Sequence, residues 1–510
     1  MDRLENLVTP ESLVLKIIRL DEKPKANHRD TENAEKARNS LLSLFSASLR
    51  LCAPLWLSFN LSPMTTRKKI AVVGAGWAGL SCAVHLVDAG HEVQVFEAAP
   101  MLGGRARYAD WQQEEATLRL DNGQHILLGA YRETLKLLEH VGVDLSQALR
   151  RSPLTLHTPK TDQPELHLHL PKLPAPLHLA IGLLTARGLR WADKKAAVHM
   201  MRALQDKQWQ LLGDCSVTEL LDLYQQPARL NQALWHPLCF AALNTPPAMA
   251  SAQVFVNVLH DSLGGTRAAS DLLLPTTDLT TLFPQAAATY IEQRGGEIFL
   301  RTNLTSIGIT HGGYLLQTAQ KSWSADAVVL ALPPYRLAEL IAGLAIEIPA
   351  LVPLVQQATQ FTYQPITTAY LQYASACKLP FAMCGLHENH AQQHYGQWVF
   401  DRGALTQQPG LLAVVISAEG AHLKLENEVL ALKLDQQLRQ HFPDLPPLQT
   451  SKIITEKRAT HACSVGLQKP EMQTGLPGLY LAGDYLDNDY PGTLEAAVRS
   501  GQRVAMHLQT

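Results

Sequence analysis

The sequence predicts an α/β protein that combines a Rossmann-like nucleotide-binding domain, discontinuous in sequence, with an α+β substrate domain. Three observations support this fold class. A glycine-rich turn follows a short apolar strand, an acidic residue ends the next strand, and a second glycine turn precedes a helix near the C-terminus. At 510 residues, the chain exceeds the size at which one hydrophobic core stops growing, so we expect two domains.

The glycine-rich turn lies in the stretch "KKIAVVGAGWAGLSCAVHLVDAG". A short β-branched strand leads into Gly74, Gly76 and Gly79, and a helix follows and ends near Gly90. The first glycine allows a tight turn, the second lets the backbone approach a pyrophosphate, and the third permits close packing of helix and strand. Ala78, in the same turn, is a further candidate contact. The start of the helix is therefore predicted to bind phosphate groups.

The second strand, "HEVQVFEA", ends in Glu97, 23 residues after Gly74, where a carboxylate can accept hydrogen bonds from ribose hydroxyls. The next segment is "APMLGGRARY". Its glycines, including Gly104, permit close backbone approach, and Arg105 and Arg107 can pair with phosphate. This G-G-R sequence resembles that of the FAD-dependent amine oxidase and phytoene desaturase superfamily.

The C-terminal stretch "GLYLAGDYLDNDYPGTLEAAVRSGQRVAMHL" supports the same resemblance. In that superfamily the aspartate corresponding to Asp484, after Gly483, holds the ribityl and pyrophosphate part of FAD. Thr493 and Leu494 correspond to the helix start that faces the flavin ring. Such a helix start would also stabilise negative charge on reduced flavin.

The middle of the chain also resembles this superfamily. Residues 290–318 predict a helix, a strand and a hairpin, in which Leu304 would meet the adenine of FAD. The apolar strand Val328–Leu332 would return to the FAD-binding sheet. The sequence contains no second G-x-G-x-x-G, so FAD is the expected cofactor and any reductant must come from outside.

The motifs divide the chain into a leader and two interleaved domains. The predicted boundaries are 1–63 for the leader, 64–135, 275–335 and 451–510 for the FAD-binding domain, and 136–274 and 336–450 for the substrate domain. Met64, followed by basic residues and a strand, is a typical start for such a chain. The leader is then an upstream extension or a misassigned start; the alternative is a membrane-attaching amphipathic segment.

Composition excludes some classes of partner. With 44 Lys and Arg against 46 Asp and Glu, the net charge is −2, so nucleic acid is not an expected partner. The 7 cysteines include no C-x-x-C pair, which favours reduced thiols in the cytoplasm, and no metal site is predicted. The alternating "HLHL" of 167–170 predicts a strand with solvent-facing histidines.

Three longer motifs narrow the resemblance: "LDNGQHILLGAY", "LWHPLCFAALNTPPAMASAQVFVNVLHDSLGGTRAASDLLLP" and "DYPGTLEAAVRSG". Together they resemble the squalene-associated FAD-dependent desaturases, the hydroxysqualene dehydroxylases of bacterial hopanoid synthesis. The resemblance implies a C30 polyisoprenoid substrate and reductive removal of its hydroxyl to give squalene. A carotenoid-type desaturase that oxidises a polyisoprenoid stays the main alternative. An amine oxidase and a non-catalytic lipid carrier resembling the GDP-dissociation inhibitors are weaker alternatives.

A hydroxyl leaves as water only if its oxygen is protonated or strongly hydrogen-bonded. His125 is the candidate for this catalytic role, because histidine titrates near neutral pH; a structural bond to the backbone is equally open. Asp271 and Tyr490 are weaker candidates, better explained by capping and packing. The segment Leu173–Leu204 predicts an apolar helix and then a basic amphipathic one. These could form a core or dock on the inner face of the membrane.

Overall fold

The computed structural model describes residues 67–113, 117–161 and 165–509, and the predicted leader lies outside these ranges. The strands of this part of the chain are β1 Lys69–Val73, β2 Glu92–Phe96, β3 Tyr108–Gln112, β4 Thr117–Asp121, β5 Leu127–Leu128, β6 Leu149–Ser152, β7 Thr155–Thr158, β8 Leu166–His169, β9 Leu272–Pro275, β10 Glu297–Phe299, β11 Ser306–Thr310, β12 Gly313–Gln317, β13 Ser322–Ala325, β14 Ala327–Leu330, β15 Tyr363–Gln372, β16 Met383–Gly385, β17 Trp398–Asp401, β18 Leu411–Ser417, β19 Thr450–His461 and β20 Leu479–Leu481.

The α-helices of the same ranges are α1 Trp77–Asp88, α2 Arg132–His140, α3 Leu145–Ala148, α4 Leu177–Thr185, α5 Trp191–Asp206, α6 Val217–Leu223, α7 Ala228–Leu230, α8 His236–Leu243, α9 Ala252–Leu259, α10 Leu279–Leu282, α11 Pro284–Gln293, α12 Pro334–Glu347, α13 Val352–Thr359, α14 Arg402–Thr406, α15 Asn427–His441 and α16 Leu494–Gln509. Two π-helical turns, Asn231–Trp235 and His260–Gly264, adjoin α8 and α9, and four short 3₁₀ turns are Arg267–Ser270, Pro349–Leu351, His390–Gln392 and Ala421–Lys424.

A five-stranded parallel sheet has the order β10-β2-β1-β14-β20. Its strands come from early, middle and late parts of the chain, as a discontinuous Rossmann-like domain requires. Helix α16 packs so closely on α1 that a Cβ on Gly501 would lie 2.2 Å from the carbonyl oxygen of Ala78. The predicted strand, turn, helix and strand order of the glycine-rich region is confirmed. The strand and helix predicted at the C-terminus are confirmed as well.

A second sheet is antiparallel and has the order β16-β17-β18-β15-β19. Helix α15 buries Leu430, Leu434 and Leu438 in one cluster with Leu371 of β15. The predicted C-terminal segment of the FAD-binding domain begins at residue 451, within β19, which pairs with β15. The predicted domain boundaries remain a proposal.

The segment Leu173–Leu204 forms α4 and α5, so the two predicted helices are confirmed. Strand β8 follows the predicted alternation, with Leu166 and Leu168 buried and His169 exposed. His167 is half-buried, because it lies against the histidine of the neighbouring strand. Among the described residues, no helix combines the length and apolarity needed to cross a bilayer.

Candidate functional site

A cavity of about 1430 Å³ begins at the glycine-rich turn after β1 and extends between α4, α5 and α9. This volume exceeds the roughly 300–1,000 Å³ of a pocket for one drug-sized ligand. Of the predicted cofactor-binding residues, all but Gly79 line it: Gly74, Gly76, Ala78, Glu97, Gly104, Arg105, Leu304, Gly483, Asp484, Thr493 and Leu494. The predicted catalytic candidates His125 and Tyr490 line it as well, whereas Asp271 does not. The cavity therefore has room for two ligands end to end.

The glycine-rich turn is held by close backbone packing. Gly74 has φ +107°, and a Cβ there would lie 2.4 Å from the carbonyl oxygen of Ala331. A Cβ on Gly79 would lie 1.9 Å from the carbonyl oxygen of Gly74, so Gly79 packs the helix against the turn rather than facing the cavity. Helix α1 has no side-chain cap at Gly76, which leaves first-turn amides without intrahelical partners beside the cavity. Such a helix start attracts an anion.

Glu97, directly after β2, is fixed by the backbone. Its Oε2 accepts a hydrogen bond from the Ala75 amide and its Oε1 one from the Ala99 amide, both at 2.8 Å. The carboxylate therefore stands beside the glycine-rich turn, at the carboxyl end of the sheet. A ligand hydroxyl can bond to it there.

Arg105 and Asp484 come together from opposite ends of the chain. Their Nη2 and Oδ1 atoms are 2.7 Å apart, and Arg105 Nη1 donates to the carbonyl of Ala459 at 2.7 Å. Burial by itself would raise the pKa of Asp484, but the Arg105 guanidinium and its hydrogen bond outweigh burial and lower that pKa. Asp484 is therefore an anion at neutral pH, and the pair joins the two motifs at one point of the cavity.

The start of α16 faces the same point. Thr493 Oγ1 accepts from the Ala496 amide at 3.2 Å, and Thr493 and Leu494 both line the cavity. A Cβ on Gly492 would lie 3.0 Å from Oδ2 of Asp484, so glycine lets the backbone pass close to that carboxylate. The helix start directs its amides and its dipole into the cavity.

The motif "LDNGQH" is anchored by a buried ion pair that the sequence analysis missed. Arg402 Nη1 lies 3.0 Å from Oδ2 of Asp121, and both side chains are almost completely buried. Arg402 also donates to Gln124 Oε1 at 3.2 Å, and Tyr370 donates to the carbonyl of Asp121 at 2.7 Å. The partners are 281 residues apart in sequence, so no local pattern could indicate them.

His125 follows this anchor and lines the cavity. Its Nδ1 lies 2.7 Å from the carbonyl oxygen of Gly123, so Nδ1 carries a proton and donates. Burial lowers the pKa of His125, and the bond to Gly123 only partly opposes this shift. The neutral ring presents an unprotonated Nε2, which accepts hydrogen bonds. The bond to Gly123 is the structural backbone bond that the sequence analysis held equally open, and the neutral ring argues against the acid role.

A polar pair lines the cavity where α9 ends. The Tyr490 hydroxyl donates to Oδ2 of Asp261, and both residues line the cavity. Oδ1 of Asp261 lies 3.0 Å from Nδ1 of His260, whose side chain is half exposed. Burial raises the pKa of Tyr490, and the Asp261 carboxylate adds to the shift. Sequence reasoning singled out Tyr490 but missed Asp261, whose only signal was its place in the motif "HDSLGG".

Asp271 is held by two arginines outside the cavity. Arg151 Nε lies 2.9 Å from its Oδ2, and Arg267 Nη2 lies 2.7 Å from its Oδ1. Its carboxylate therefore forms buried ion pairs, rather than the cap or apolar packing expected for it above.

The far part of the cavity is apolar. Its walls come from the hairpin β7–β8 and from α4, α5 and α9, and they include Leu156, Leu168, Leu170, Leu179, Leu183, Met201, Phe255, Val258 and Leu259. Charged groups are few here, so a long hydrocarbon ligand is favoured.

Comparisons with known proteins agree with this geometry. A model of the family described as flavin containing amine oxidoreductase matches residues 77–509. The chain is 26% identical to a hydroxysqualene dehydroxylase of Zymomonas mobilis over 85% of this chain and 97% of that protein. It is 28% identical to a hydroxysqualene dehydroxylase of Rhodopseudomonas palustris over 86% of this chain and 97% of that protein. A 15-cis-phytoene desaturase of Synechococcus elongatus is 24% identical over 86% of this chain and 95% of that protein.

Solved structures share the fold. An oxidoreductase from Methanosarcina mazei superposes with a TM-score of 0.65 at 17% identity, covering 86% of this chain and 100% of that one. A cyclohexylamine oxidase from Brevibacterium oxydans superposes with a TM-score of 0.61 at 16% identity, covering 87% and 99%. The predicted α/β fold class is thereby confirmed.

The residues of the cavity fit FAD. The uncapped start of α1 suits a pyrophosphate, Glu97 suits a ribose, and the Arg105–Asp484 pair lies between these groups and the start of α16. A polar nucleotide end and an apolar far end match a cofactor and a hydrocarbon, respectively.

Proposed function

We propose that this chain, which belongs to the flavin-containing amine oxidoreductase family and is an FAD-dependent oxidoreductase, reduces hydroxysqualene to squalene. The observation that carries the proposal is a cavity with two unlike halves. A nucleotide-binding end adjoins a long apolar end, and the Tyr490–Asp261 pair supplies a polar group on the cavity wall. The names of the two dehydroxylase relatives support the same substrate.

We propose that FAD is held by the cavity-lining residues of the two glycine motifs, with Glu97 at the ribose and Asp484 near the pyrophosphate. Bound, reduced FAD would supply a hydride. Replacing a hydroxyl by hydrogen consumes one hydride and one proton and releases water, so the protein must deliver a proton to the substrate oxygen. An external reductant must supply the electrons.

The residues His260, Asp261 and Tyr490 form a path for that proton. His260 is reached by solvent and contacts Asp261, which accepts the hydrogen bond of Tyr490 inside the cavity. When Asp261 takes up a proton, it can donate to the Tyr490 oxygen, and the Tyr490 hydroxyl is then free to donate to the substrate. The raised pKa of Tyr490 keeps the phenol protonated until that moment. Nε2 of His125 can accept a hydrogen bond from the same hydroxyl or from the departing water.

We propose that the substrate enters from a membrane surface at α4 and α5, which would make this a peripheral protein at the inner face of the membrane. Both helices line the apolar half of the cavity. On their outer faces Leu177, Leu184 and Trp191 are more than half exposed. Leu184→Glu is then expected to weaken sedimentation with anionic vesicles, whereas Leu432→Glu, at an equally exposed leucine on α15, is expected to leave it unchanged.

An anaerobic assay tests the reaction. The purified flavoprotein is reduced with dithionite, hydroxysqualene is added, and squalene and flavin reoxidation are measured together. Equal amounts of both support the proposal. Flavin that stays reduced beside bound substrate contradicts it. Oxidation of phytoene by the oxidised protein with a quinone would instead support the alternative function of a desaturase. The similarity to a phytoene desaturase is the reason to test it.

Two variants test the proton path. Tyr490→Phe removes the hydroxyl and is expected to slow squalene formation by about 100–10,000-fold, the usual contribution of general acid catalysis, with flavin content unchanged. Tyr290→Phe is the matched control, because Tyr290 also donates to a carboxylate, Asp88, but at the surface. Equal rates in the two variants would rule out Tyr490 as the proton donor.

A further inference from the structure

The hairpin of β7 and β8 carries a cluster of potential metal ligands on the face opposite the cavity. His157 and His167 are paired across the two antiparallel strands. Glu165 lies two residues before His167, so its side chain is directed to the same face. On the other face of the hairpin, Leu156 and Leu168 line the cavity.

The distance between the two imidazoles suits a tetrahedral metal ion. The Nδ1 atoms of His157 and His167 are 3.2 Å apart. Two nitrogen ligands about 2.0–2.1 Å from one zinc ion, at the tetrahedral angle, are separated by about 3.3 Å. Oε1 of Glu165 lies 3.7 Å from Nδ1 of His157, and the three ligand atoms all lie within 4.8 Å of one another.

The surroundings hold one ligand in place and leave the other two open to solvent. His157 is buried, and the ring of Phe381 packs on it at 4.2 Å between centroids. Glu165 and His167 are only half-buried, so an ion can enter from solvent.

We propose that His157, His167 and Glu165 bind a zinc ion, with water as the fourth ligand. Two imidazoles and a carboxylate are a ligand set that zinc accepts, and a set without thiolates disfavours copper(I) and iron–sulfur clusters. The ion would join the two strands directly behind Leu156 and Leu168. It would thereby stiffen the apolar wall of the cavity, at a distance from the nucleotide end.

Zinc binding to the metal-free flavoprotein, measured by titration calorimetry and by elemental analysis after dialysis, tests the site. One ion per chain is expected, with a rise in the thermal unfolding temperature as zinc is added. His167→Gln is expected to weaken binding by more than the roughly 10–100-fold that loss of an outer-shell partner costs. His169→Gln is the matched control, because His169 lies on the same strand but bonds Thr155 instead.

Flavin content and circular dichroism check that each variant is folded, and Glu165→Gln provides a second ligand variant with a small change in shape. Equal zinc affinity in the wild type and in both ligand variants would overturn the proposal. So would an equal loss in the His169→Gln control. The result does not depend on which substrate the enzyme reduces.

Discussion

Replacing Arg402 by methionine is expected to destabilise the protein strongly, because it leaves the Asp121 carboxylate buried without its cation. The two charged groups are almost inaccessible to solvent and 3.0 Å apart. Charges about 4 Å apart at an effective dielectric constant of about 20 attract by about 4 kcal/mol. Removing one partner of a buried pair costs about 3–5 kcal/mol, which agrees with that value. The free energy of unfolding should therefore fall by about 3–5 kcal/mol.

The loss should depend on pH in a defined direction. Burial raises the pKa of Asp121 even with Arg402 present, and loss of Arg402 removes the opposing attraction. A carboxyl whose pKa is raised by folding stabilises the fold below its unfolded pKa, about 3.9, and loses that contribution as pH rises. The difference in the free energy of unfolding between the wild type and Arg402→Met should therefore increase with pH.

Urea denaturation at several pH values, followed by tryptophan fluorescence and flavin release, measures both effects. The double variant Arg402→Met with Asp121→Asn is the control, because it removes the buried charge as well as its partner. It should unfold at a higher urea concentration than Arg402→Met alone and show little pH dependence. A loss below about 1 kcal/mol that is the same at every pH would refute the reasoning.

Three further changes test the nucleotide end of the cavity and His125. Asp484→Asn should weaken FAD binding by about 10–150-fold in reconstitution titrations, because hydrogen bonds to charged groups contribute about 1.5–3 kcal/mol. An unchanged affinity for FAD would show that Asp484 does not bind the cofactor. Since folding lowers the pKa of Asp484, its contribution to folding stability is present above about 3.9 and is lost as pH falls through the lowered pKa. Acid unfolding, followed by flavin release, should therefore be less steep in the variant than in the wild type. Gly79→Ala should abolish soluble flavoprotein, because its Cβ would lie 1.9 Å from a backbone carbonyl oxygen. Gly90→Ala has open space around it but a φ of +83°, so it should cost about 1–2 kcal/mol, and equal yields of the two variants would contradict this. His125→Ala should lower the rate of squalene formation without shifting the pH dependence of that rate, since the ring is already neutral. A shift of the pH dependence on its acidic side would instead support an acid role for His125.

The nucleotide end was predictable from sequence because its chemistry is local. Gly74, Gly76 and Glu97 lie on one strand–turn–helix–strand unit, so spacing alone brings them together. Backbone geometry then fixes each side chain, as with the two amides that hold Glu97. Even the distant Asp484 carried a signal, because it follows its own apolar strand and precedes a helix.

Pairs of residues that are distant in sequence were not predictable in the same way. Arg402 and Asp121 are 281 residues apart, and Tyr490 and Asp261 are 229 apart, so only the folded chain pairs them. A local sequence pattern cannot report a contact between a loop before α16 and a turn after α9. The histidines of β8 illustrate the same limit: alternation predicted the strand, but the metal-ligand geometry depends on His157 of the neighbouring strand.

Both π-helical turns lie where helices border the apolar half of the cavity. One contributes Leu234 and Trp235, and the other contributes Asp261, Ser262 and Leu263. A π-turn widens a helix by one residue and thereby redirects the side chains that follow, and such turns are frequent at functional sites. In the second turn this brings Asp261 to Tyr490 while His260 stays at the surface. The proposed proton path from solvent to the cavity interior follows this irregular helix. The proposed reduction of a buried alcohol requires such a path, whereas a simple lipid-binding cavity does not.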